Sequence, residues 1–455
     1  MHILFVENRN ITFLLESIAK LLIQDGHRIS WLVQNHLYQP RDRKLFRDIH
    51  VIPYPSKRQD VSNSLNAKLD EKYPDFDVII PADRGVKFFG GESSHYIHYY
   101  KNIKEILESE VIDVVFGETT LFHELITEYV CNLKDVPYLH PVATRIPSGR
   151  LQFFKGRTMK SIGGGNNAPA FEDLSFENEA LNKRKSVAFM NSRAGDSRLS
   201  KKIDIAADRF KVVIGRFFGE IYNTPSLIKK LSLERDLKVR KVAFNKVVNL
   251  PKSGCGKYLL YPLQMQPETN IDIWSVGNSD QSEIIKGLSE QLVGTNFRLL
   301  VKFNPHSKYE LLDDNLLVLA DRVDFLPFDF GMSEALEMSD AVISVTGSVI
   351  LECISMQKPI FVVGNHEMSQ LPGVNQLGSV NEIVNFIADG LENHVTPTKE
   401  DGINYLQKLY LNSYSGIWFD PVNMSEFATD KNIEDITMAF RDVLNLLRNK
   451  RDEAL

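Results

Sequence analysis

MHILFVENRNITFLLESIAKLLIQDGHRISWLVQ, residues 1–34, decides the fold class. HILFV (2–6) reads as a continuous run of the kind found in a strand buried on both faces of a parallel sheet. After the polar ENRN, Leu14, Ile18, Leu21 and Leu22 recur at helical spacing. Gly26 closes that helix and ISWLV (29–33) supplies the next strand. Strand, helix and strand in this order make one βαβ unit of a parallel sheet.

The same unit recurs along the chain. DVIIPAD (77–83) reads as a strand, IDVVFGE (112–118) as another followed by a helix through Leu125 and Val130, and VPYLHP (136–141) as a third. From about 155 to 185 the pattern dissolves into GGGNNAPAFEDLSFENEALNKRK, a long surface loop. Residues 186–246 look mainly helical and are rich in Lys and Arg. A second series begins at KYLLYPLQ (257–264). It continues through a helix over 284–292, FRLLVKF (297–303), a helix near Glu334 and Glu337, AVISVT (341–346) and KPIFVVG (358–364). The expected fold class is therefore α/β, with two doubly wound Rossmann-like domains facing a cleft. The expected boundaries are 1–250, 251–430 and a C-terminal helix over 431–455, with the linker near 246–256. Ile436, Phe440, Val443, Leu444 and Leu447 share one face of that last helix, which suits packing back on the N-terminal domain. The alternative is a membrane-surface role through Arg448, Lys450 and Arg451.

Composition excludes several classes. The 455 residues carry 53 Lys and Arg against 59 Asp and Glu, a net charge of −6, which argues against a dedicated nucleic-acid binder. With 43% hydrophobic and 25% charged residues the chain can bury a core and is not of disordered composition. Cys131, Cys255 and Cys353 stand far apart without ligand spacing, so neither a disulfide framework nor a structural zinc is expected. The start meets Glu7 and Arg9 too soon for a secretory signal. The apolar stretch 341–354 is interrupted by Ser344, Thr346, Ser348 and Glu352, so it is not a membrane span. The expected location is cytoplasmic, with peripheral association at the inner membrane as the variant.

Four short motifs are set aside. Gly254-x-Gly256-Lys257 lacks the spacing of a phosphate loop and precedes a strand. Asp329-Phe330-Gly331 lacks the other kinase motifs. Asp75-Phe76-Asp77 reads as a solvated loop rather than a metal site, and the glycines at 163–165 read as a flexible hinge. No metal is expected.

Three stretches follow predicted strands of the second series, where open α/β sheets bind ligands. The first contains Gln264, Gln266 and Glu268; the second Lys302, Asn304, Pro305 and His306; the third Ser344, Thr346, Gly347 and Ser348, then a helix with Glu352. A strand, small hydroxyl residues with glycine and a helix start can hold an anion through backbone N–H groups and hydroxyls. Helix capping and turn formation are the competing roles.

These residues, PLQMQPE, VKFNPH and SVTGSVILECISMQKPIFVVG, resemble the bacterial capsular polysaccharide synthesis glycosyltransferases, GT-B proteins that include transferases for Kdo and related acidic sugars delivered from CMP. The similarity spans residues 258–373, with weaker support from Gly117-Glu118-Thr119-Thr120, His123-Glu124-Leu125 and Arg145-Ile-Pro-Ser-Gly-Arg150. The resemblance implies a GT-B fold. It also implies that the Ser/Thr-Gly and Lys-x-x-Pro stretches hold the donor nucleotide and that Glu352 meets a ribose hydroxyl. Family members present His-Pro after the lysine strand; this chain has Asn304-Pro305 with His306 following.

Glu118 closes its predicted strand, where a carboxylate could be the general base for an acceptor hydroxyl in an inverting transfer, could assist by another route in a retaining one, or could cap the next helix. Arg145 and Arg150 suit bidentate recognition of a sugar carboxylate or a surface ion pair. Asn8, Arg9 and Asn10 follow the first strand and could line the acceptor side. The expected activity is transfer of a Kdo-like or sialic-acid-like sugar from a CMP-sugar, the donor substrate, to a bacterial capsule or lipopolysaccharide glycan, with no cofactor and no metal. The expected partners are the nucleotide sugar, an oligosaccharide or polysaccharide acceptor, and a capsule complex or inner membrane. The alternatives are a UDP- or GDP-sugar-dependent GT-B transferase or epimerase, and a non-catalytic GT-B-like capsule assembly protein.

Overall fold

The computed structural model describes residues 1–52, 76–89, 95–144, 149–165, 210, 213–215, 222–248, 256–347, 349–364, 367–390 and 396–454. Arg145, Ser348, Cys255, Asp75, Gly254 and most of the expected loop at 155–185 lie outside the described residues. The chain forms two compact α/β units, Met1–Ser226 with Leu406–Leu455, and Leu227–Tyr405.

In the first unit, strands β1 (His2–Val6), β2 (Arg28–Val33), β3 (Ile49–Val51), β4 (Val114–Phe116) and β5 (Tyr138–Ala143) pair in parallel in the order β3-β2-β1-β4-β5. Strand β6 (Arg150–Lys155) continues the sheet antiparallel beyond β5. β1 and β4 are buried at every position, as central strands with helices on both faces must be. The helix Ile11–Gln24 buries Leu14, Leu15, Ile18, Ala19 and Leu22 against the sheet.

The second unit holds a six-stranded parallel sheet. Its strands are β7 (Lys257–Pro262), β8 (Phe297–Lys302), β9 (Asp324–Leu326), β10 (Ala341–Ser344), β11 (Ile360–Val362) and β12 (Val374–Gln376), in the order β12-β11-β10-β7-β8-β9. The helix Gln281–Gln291 is capped by Asp280, whose carboxylate accepts from the Glu283 N–H, and buries Ile284, Ile285 and Leu288.

The units divide at 226/227 and 405/406, against sequence-based boundaries of 250/251 and 430/431. The helix Leu227–Val247 goes with the second sheet because Phe244 is fully buried there, its ring 5.0 Å from Phe303 and 5.6 Å from Phe325. After Tyr405 the chain returns to the first unit. Strand β13 (Tyr414–Ser415) pairs with β6, and the helix Asp430–Ala454 buries Ile436, Phe440, Val443 and Leu444 in the same core as Phe5, Phe116 and Phe153. The apolar face of this helix is thereby consumed, and Arg451 pairs with Asp113.

Two local expectations are corrected. DVIIPAD is not a strand: Phe76–Ala82 is a helix. Its apolar run is too short to separate a buried strand from a buried helix, and Phe76 and Ile79, three apart, bury one helical face. Phe76 lies 5.7–6.1 Å from the rings of Tyr96, Tyr100 and Tyr129. The glycines at 163–165 are not a hinge but a close approach of two backbones. A Cβ on Gly164 would strike the Leu411 carbonyl, and the Gly165 N–H donates to the Ser413 carbonyl at 2.9 Å.

Candidate functional site

In each sheet the chain fills one side of its first strand and then crosses to the other, so a topological switch point opens between β1 and β4 and again between β7 and β10. Crevices at such points, beyond the carboxyl ends of the strands, are where open α/β sheets bind ligands.

At the first switch point, residues 7–10 leave β1 and residues 117–121 leave β4. Glu7 is internal: its carboxylate accepts from the N–H groups of Arg9 (2.8 Å), Gln34 (3.2 Å) and Asn35 (3.1 Å), tying the turns after β1 and β2 together. Arg9 holds a left-handed backbone, φ +42°, uncommon for a side chain of this size. Its guanidinium donates to the Thr224 hydroxyl. The Asn8 amide faces three acceptors, Glu118 Oε2 (3.0 Å), Thr120 Oγ1 (3.0 Å) and Glu124 Oε1 (2.9 Å).

Two carboxyl groups therefore meet over one amide, and their roles separate. Glu124 caps the helix Phe122–Leu133: its oxygens accept from the N–H groups of Glu118 (3.1 Å), Thr120 (3.0 Å) and Leu121 (2.9 Å). Capping is thus the work of Glu124, and Glu118 is released from it. Glu118 instead accepts from Asn8 on one oxygen and from the Trp418 indole N–H on the other, at 3.2 Å. The residue keeps a partly exposed surface while its carboxyl group is packed inside. Loss of hydration and then the neighbouring Glu124 charge push its pKa up to about 8, against smaller lowering by Trp418 and Arg84. Burial likewise raises Glu124. Gly117 admits no side chain, because a Cβ there would strike the Tyr138 hydroxyl, which donates to the Glu118 carbonyl.

Asn10 completes the cluster by donating to Asp420 Oδ2 at 3.2 Å. Asn8, Arg9, Asn10 and Glu118 are thus brought to one sheet edge. Arg150 is not aimed at a ligand in this structure: Nε and Nη2 donate to Ser413 (both 2.7 Å) and to the Tyr410 carbonyl (3.1 Å). Its guanidinium also stacks 4.6 Å from the Tyr410 ring, so it anchors the returning chain. His123 is internal, bonded to the Glu7 carbonyl at 2.7 Å. His140, hydrogen-bonded to Thr119 at 3.1 Å, is held neutral by burial, which lowers its pKa to about 3.

At the second switch point Gln264, after β7, and Thr346, after β10, form two hydrogen bonds. The Gln264 amide donates to Thr346 Oγ1 at 3.0 Å and accepts from the Thr346 N–H at 3.2 Å. Gln281 holds the Gln264 backbone through both its N–H (2.8 Å) and its carbonyl (2.7 Å). Ser344 donates to the Thr346 carbonyl at 2.5 Å, and Gly347 turns at φ +121°. Glu352 lies in the first turn of the helix Val349–Ser355 and is half-buried. Gln264, Ser344, Thr346 and Gly347 thus meet at this edge.

Other expected nucleotide contacts are placed differently. Gln266 is buried, its amide donating to Asp272 (2.6 Å) and the Ser279 carbonyl (3.0 Å), so it builds the loop. Glu268 closes the same loop through its N–H to Asp272, 2.9 Å. Lys302 is 3% exposed and its ammonium donates to the Phe303 carbonyl at 2.9 Å, which turns the expected free cation inward. Asn304 accepts from the His306 N–H at 2.9 Å, forming a turn that puts Pro305 and His306 on the rim of a shallow groove with Lys238, Lys241 and Lys308.

Sequence reasoning missed Trp418, Asp420, Gln281 and Arg84. Trp418 and Asp420 stand in SGIWFDPVN (415–423), where no spacing links them to β4. Among the described residues no group of three or more His, Cys, Asp or Glu could hold a metal ion, and no helix is long and apolar enough to cross a membrane.

No protein-family model and no curated protein matches this chain. Among solved structures it is similar to Thermosulfurimonas dismutans KpsC, a beta Kdo 2,7 transferase, at 14% identity over 62% of this chain and 74% of that one, TM-score 0.32. It is also similar to a UDP-GlcNAc 2-epimerase from Neisseria meningitidis bound to UDP-GlcNAc, at 12% identity over 98% and 99%, TM-score 0.23. A third is the UDP-GlcNAc 2-epimerase of Methanocaldococcus jannaschii in complex with UDP-GlcNAc and UDP, at 14% identity over 90% and 99%, TM-score 0.26. Similarity this distant assigns no role to any residue here.

Proposed function

We propose that this chain is a GT-B-type glycosyltransferase that moves a Kdo-like or other nonulosonic-acid sugar from a CMP-sugar to a bacterial surface glycan. The observation that carries the reading is the Glu118 carboxyl at the first switch point, relieved of capping by Glu124 and held by Asn8 and Trp418. A buried carboxyl with a raised pKa in a ligand crevice is suited to moving a proton near neutral pH. As general base, Glu118 takes the proton of an acceptor hydroxyl while that oxygen bonds to the anomeric carbon. The bond from that carbon to the phosphate breaks, and CMP leaves with the electron pair. The donor nucleotide is assigned to the edge formed by Gln264, Ser344, Thr346, Gly347 and Glu352, and the acceptor side to Asn8, Arg9 and Asn10. The acidic sugar and the CMP carrier come from the motif resemblance over residues 258–373.

Calorimetric titration with CMP, UDP and GDP, followed by transfer assays with CMP-Kdo and with UDP-GlcNAc, tests the reading. CMP binding with CMP-Kdo turnover that persists in EDTA is expected. Binding of UDP alone, with interconversion of UDP-GlcNAc, would replace the transferase by an epimerase. No nucleotide binding at all would leave a non-catalytic assembly protein.

A further inference from the structure

The helix Leu227–Val247 carries apolar residues on two faces. Leu233 and Phe244 are buried, and Leu237 packs against the core of the second unit. On the other side Ile228, Leu231, Val239 and Val242 stand 83, 65, 62 and 59% exposed. Their numbers advance by three, eight and three, which places them on one line along the helix, with Arg235 in the gap between Leu231 and Val239. Four large aliphatics aligned in water are a cost that a partner would relieve.

Charge identifies the partner. The helix has seven Lys or Arg against Glu234 and Asp236, a net +5, in a chain whose net charge is −6. Beside the apolar line lies the groove of about 300 Å³ lined by Lys238, Lys241, His306 and Lys308. Among the described residues no carboxylate forms an ion pair with the ammonium groups of Lys238, Lys241 or Lys308, the nearby Glu310 carboxylate accepting from the Lys308 backbone N–H instead, whereas Arg240 is paired with Asp314. A second copy of the chain would bring two such basic faces together and is disfavoured. A soluble phosphate would satisfy the groove but leave the aliphatics in water. An anionic bilayer satisfies both.

We propose that this face docks on an anionic phospholipid surface, with Ile228, Leu231, Val239 and Val242 entering the headgroup boundary and a lipid phosphate seated in the groove. The proposal needs neither Glu118 nor the Gln264–Thr346 edge of the transferase reading, but it gives Pro305 and His306, which the motif resemblance assigns to the donor nucleotide, to the groove.

Co-sedimentation of the full chain with phosphatidylcholine vesicles, with and without phosphatidylglycerol, tests it. Binding should require phosphatidylglycerol and weaken as salt is raised. It should fall at least roughly tenfold in Lys238→Glu/Lys241→Glu and in Ile228→Ser/Leu231→Ser, which remove the charge and the apolar contributions separately. The substituted residues are exposed or half-buried, and unchanged melting of each variant confirms folding. Four results would overturn the proposal. These are no preference for phosphatidylglycerol, binding retained by both variants, inorganic phosphate bound at the groove while vesicles are ignored, and self-association lost in Ile228→Ser/Leu231→Ser.

Discussion

Trp418 and Glu118 stand 300 residues apart in the chain, and the indole N–H of one donates to the carboxylate of the other at 3.2 Å. With Asn8 on the second oxygen, this fixes the carboxyl group at the first switch point. Glu118→Gln keeps the shape and removes the base. Transfer should fall by on the order of 10²–10⁴-fold while CMP binding is retained, and turnover near the wild-type rate would remove Glu118 from catalysis.

Trp418→Phe keeps a ring beside Phe440 but deletes the donor. Because the Trp418 hydrogen bond lowers the Glu118 pKa, its loss should raise it further. A general base acts deprotonated, so the wild-type rate should climb with pH toward about 8, and the variant's rise should shift to higher pH. Coincident pH–rate profiles would show that the indole does not position the carboxyl group.

Stability should depend on pH in two opposite ways. The folded pKa of Glu118 is raised from 4.5 to about 8, so its contribution is full below 4.5 and lost as pH rises through 8. The folded pKa of His140 is lowered from 6.5 to about 3, so its contribution is present above 6.5 and lost as pH falls toward 3. Glu118→Gln should therefore raise the melting temperature more at alkaline than at neutral pH. A difference independent of pH would mean that Glu118 ionises as freely in the folded chain as in the unfolded one.

Thr346 is fully buried, and its hydroxyl accepts the Gln264 amide. Thr346→Val conserves volume but strands that donor, which should cost about 1–3 kcal/mol in denaturant unfolding and weaken CMP binding. Wild-type affinity in the variant would take this edge out of the donor site.

Phe440 packs 4.7 Å from Phe116 and 4.8 Å from Phe153, ring centre to ring centre, and is fully buried. Phe440→Ala should destabilise the first unit by about 3–5 kcal/mol, read from chemical denaturation. A loss below about 1 kcal/mol would mean the C-terminal helix is an accessory to that core.

Most of the sheet framework was legible because buried parallel strands are short apolar runs and their helices carry a spaced stripe. β1, β4, β7, β8, β10 and β11 were all visible in this way. The strand expected over 77–83 failed for the same reason, since seven apolar-rich residues fit either element. The site was legible in part. Its position after β4 places Glu118 at the crevice, but only the structure gives the cap of the following helix to Glu124. Lys302 and Gln266 look available in sequence because burial of a side chain after a strand is set by tertiary packing: both are 3% exposed, and their polar ends turn inward to the Phe303 carbonyl and to Asp272.

Hydrophobic periodicity alone determined that this chain is α/β with two series of parallel strands, because alternation of apolar strands with striped helices is a local property; the antiparallel β6 and β13 at the edge of the first sheet came only with the structure. Periodicity also placed chemically capable side chains after the parallel strands. Only the tertiary structure decided the strand order, and with it the two switch points, since pairing joins segments distant in the chain. It alone brought Trp418 and Asp420 to Glu118, buried Lys302, and returned residues 406–429 to the first unit ahead of the C-terminal helix, whose apolar face already suited that core. Each of these depends on desolvation and long-range contact, quantities that exist only once the chain has folded.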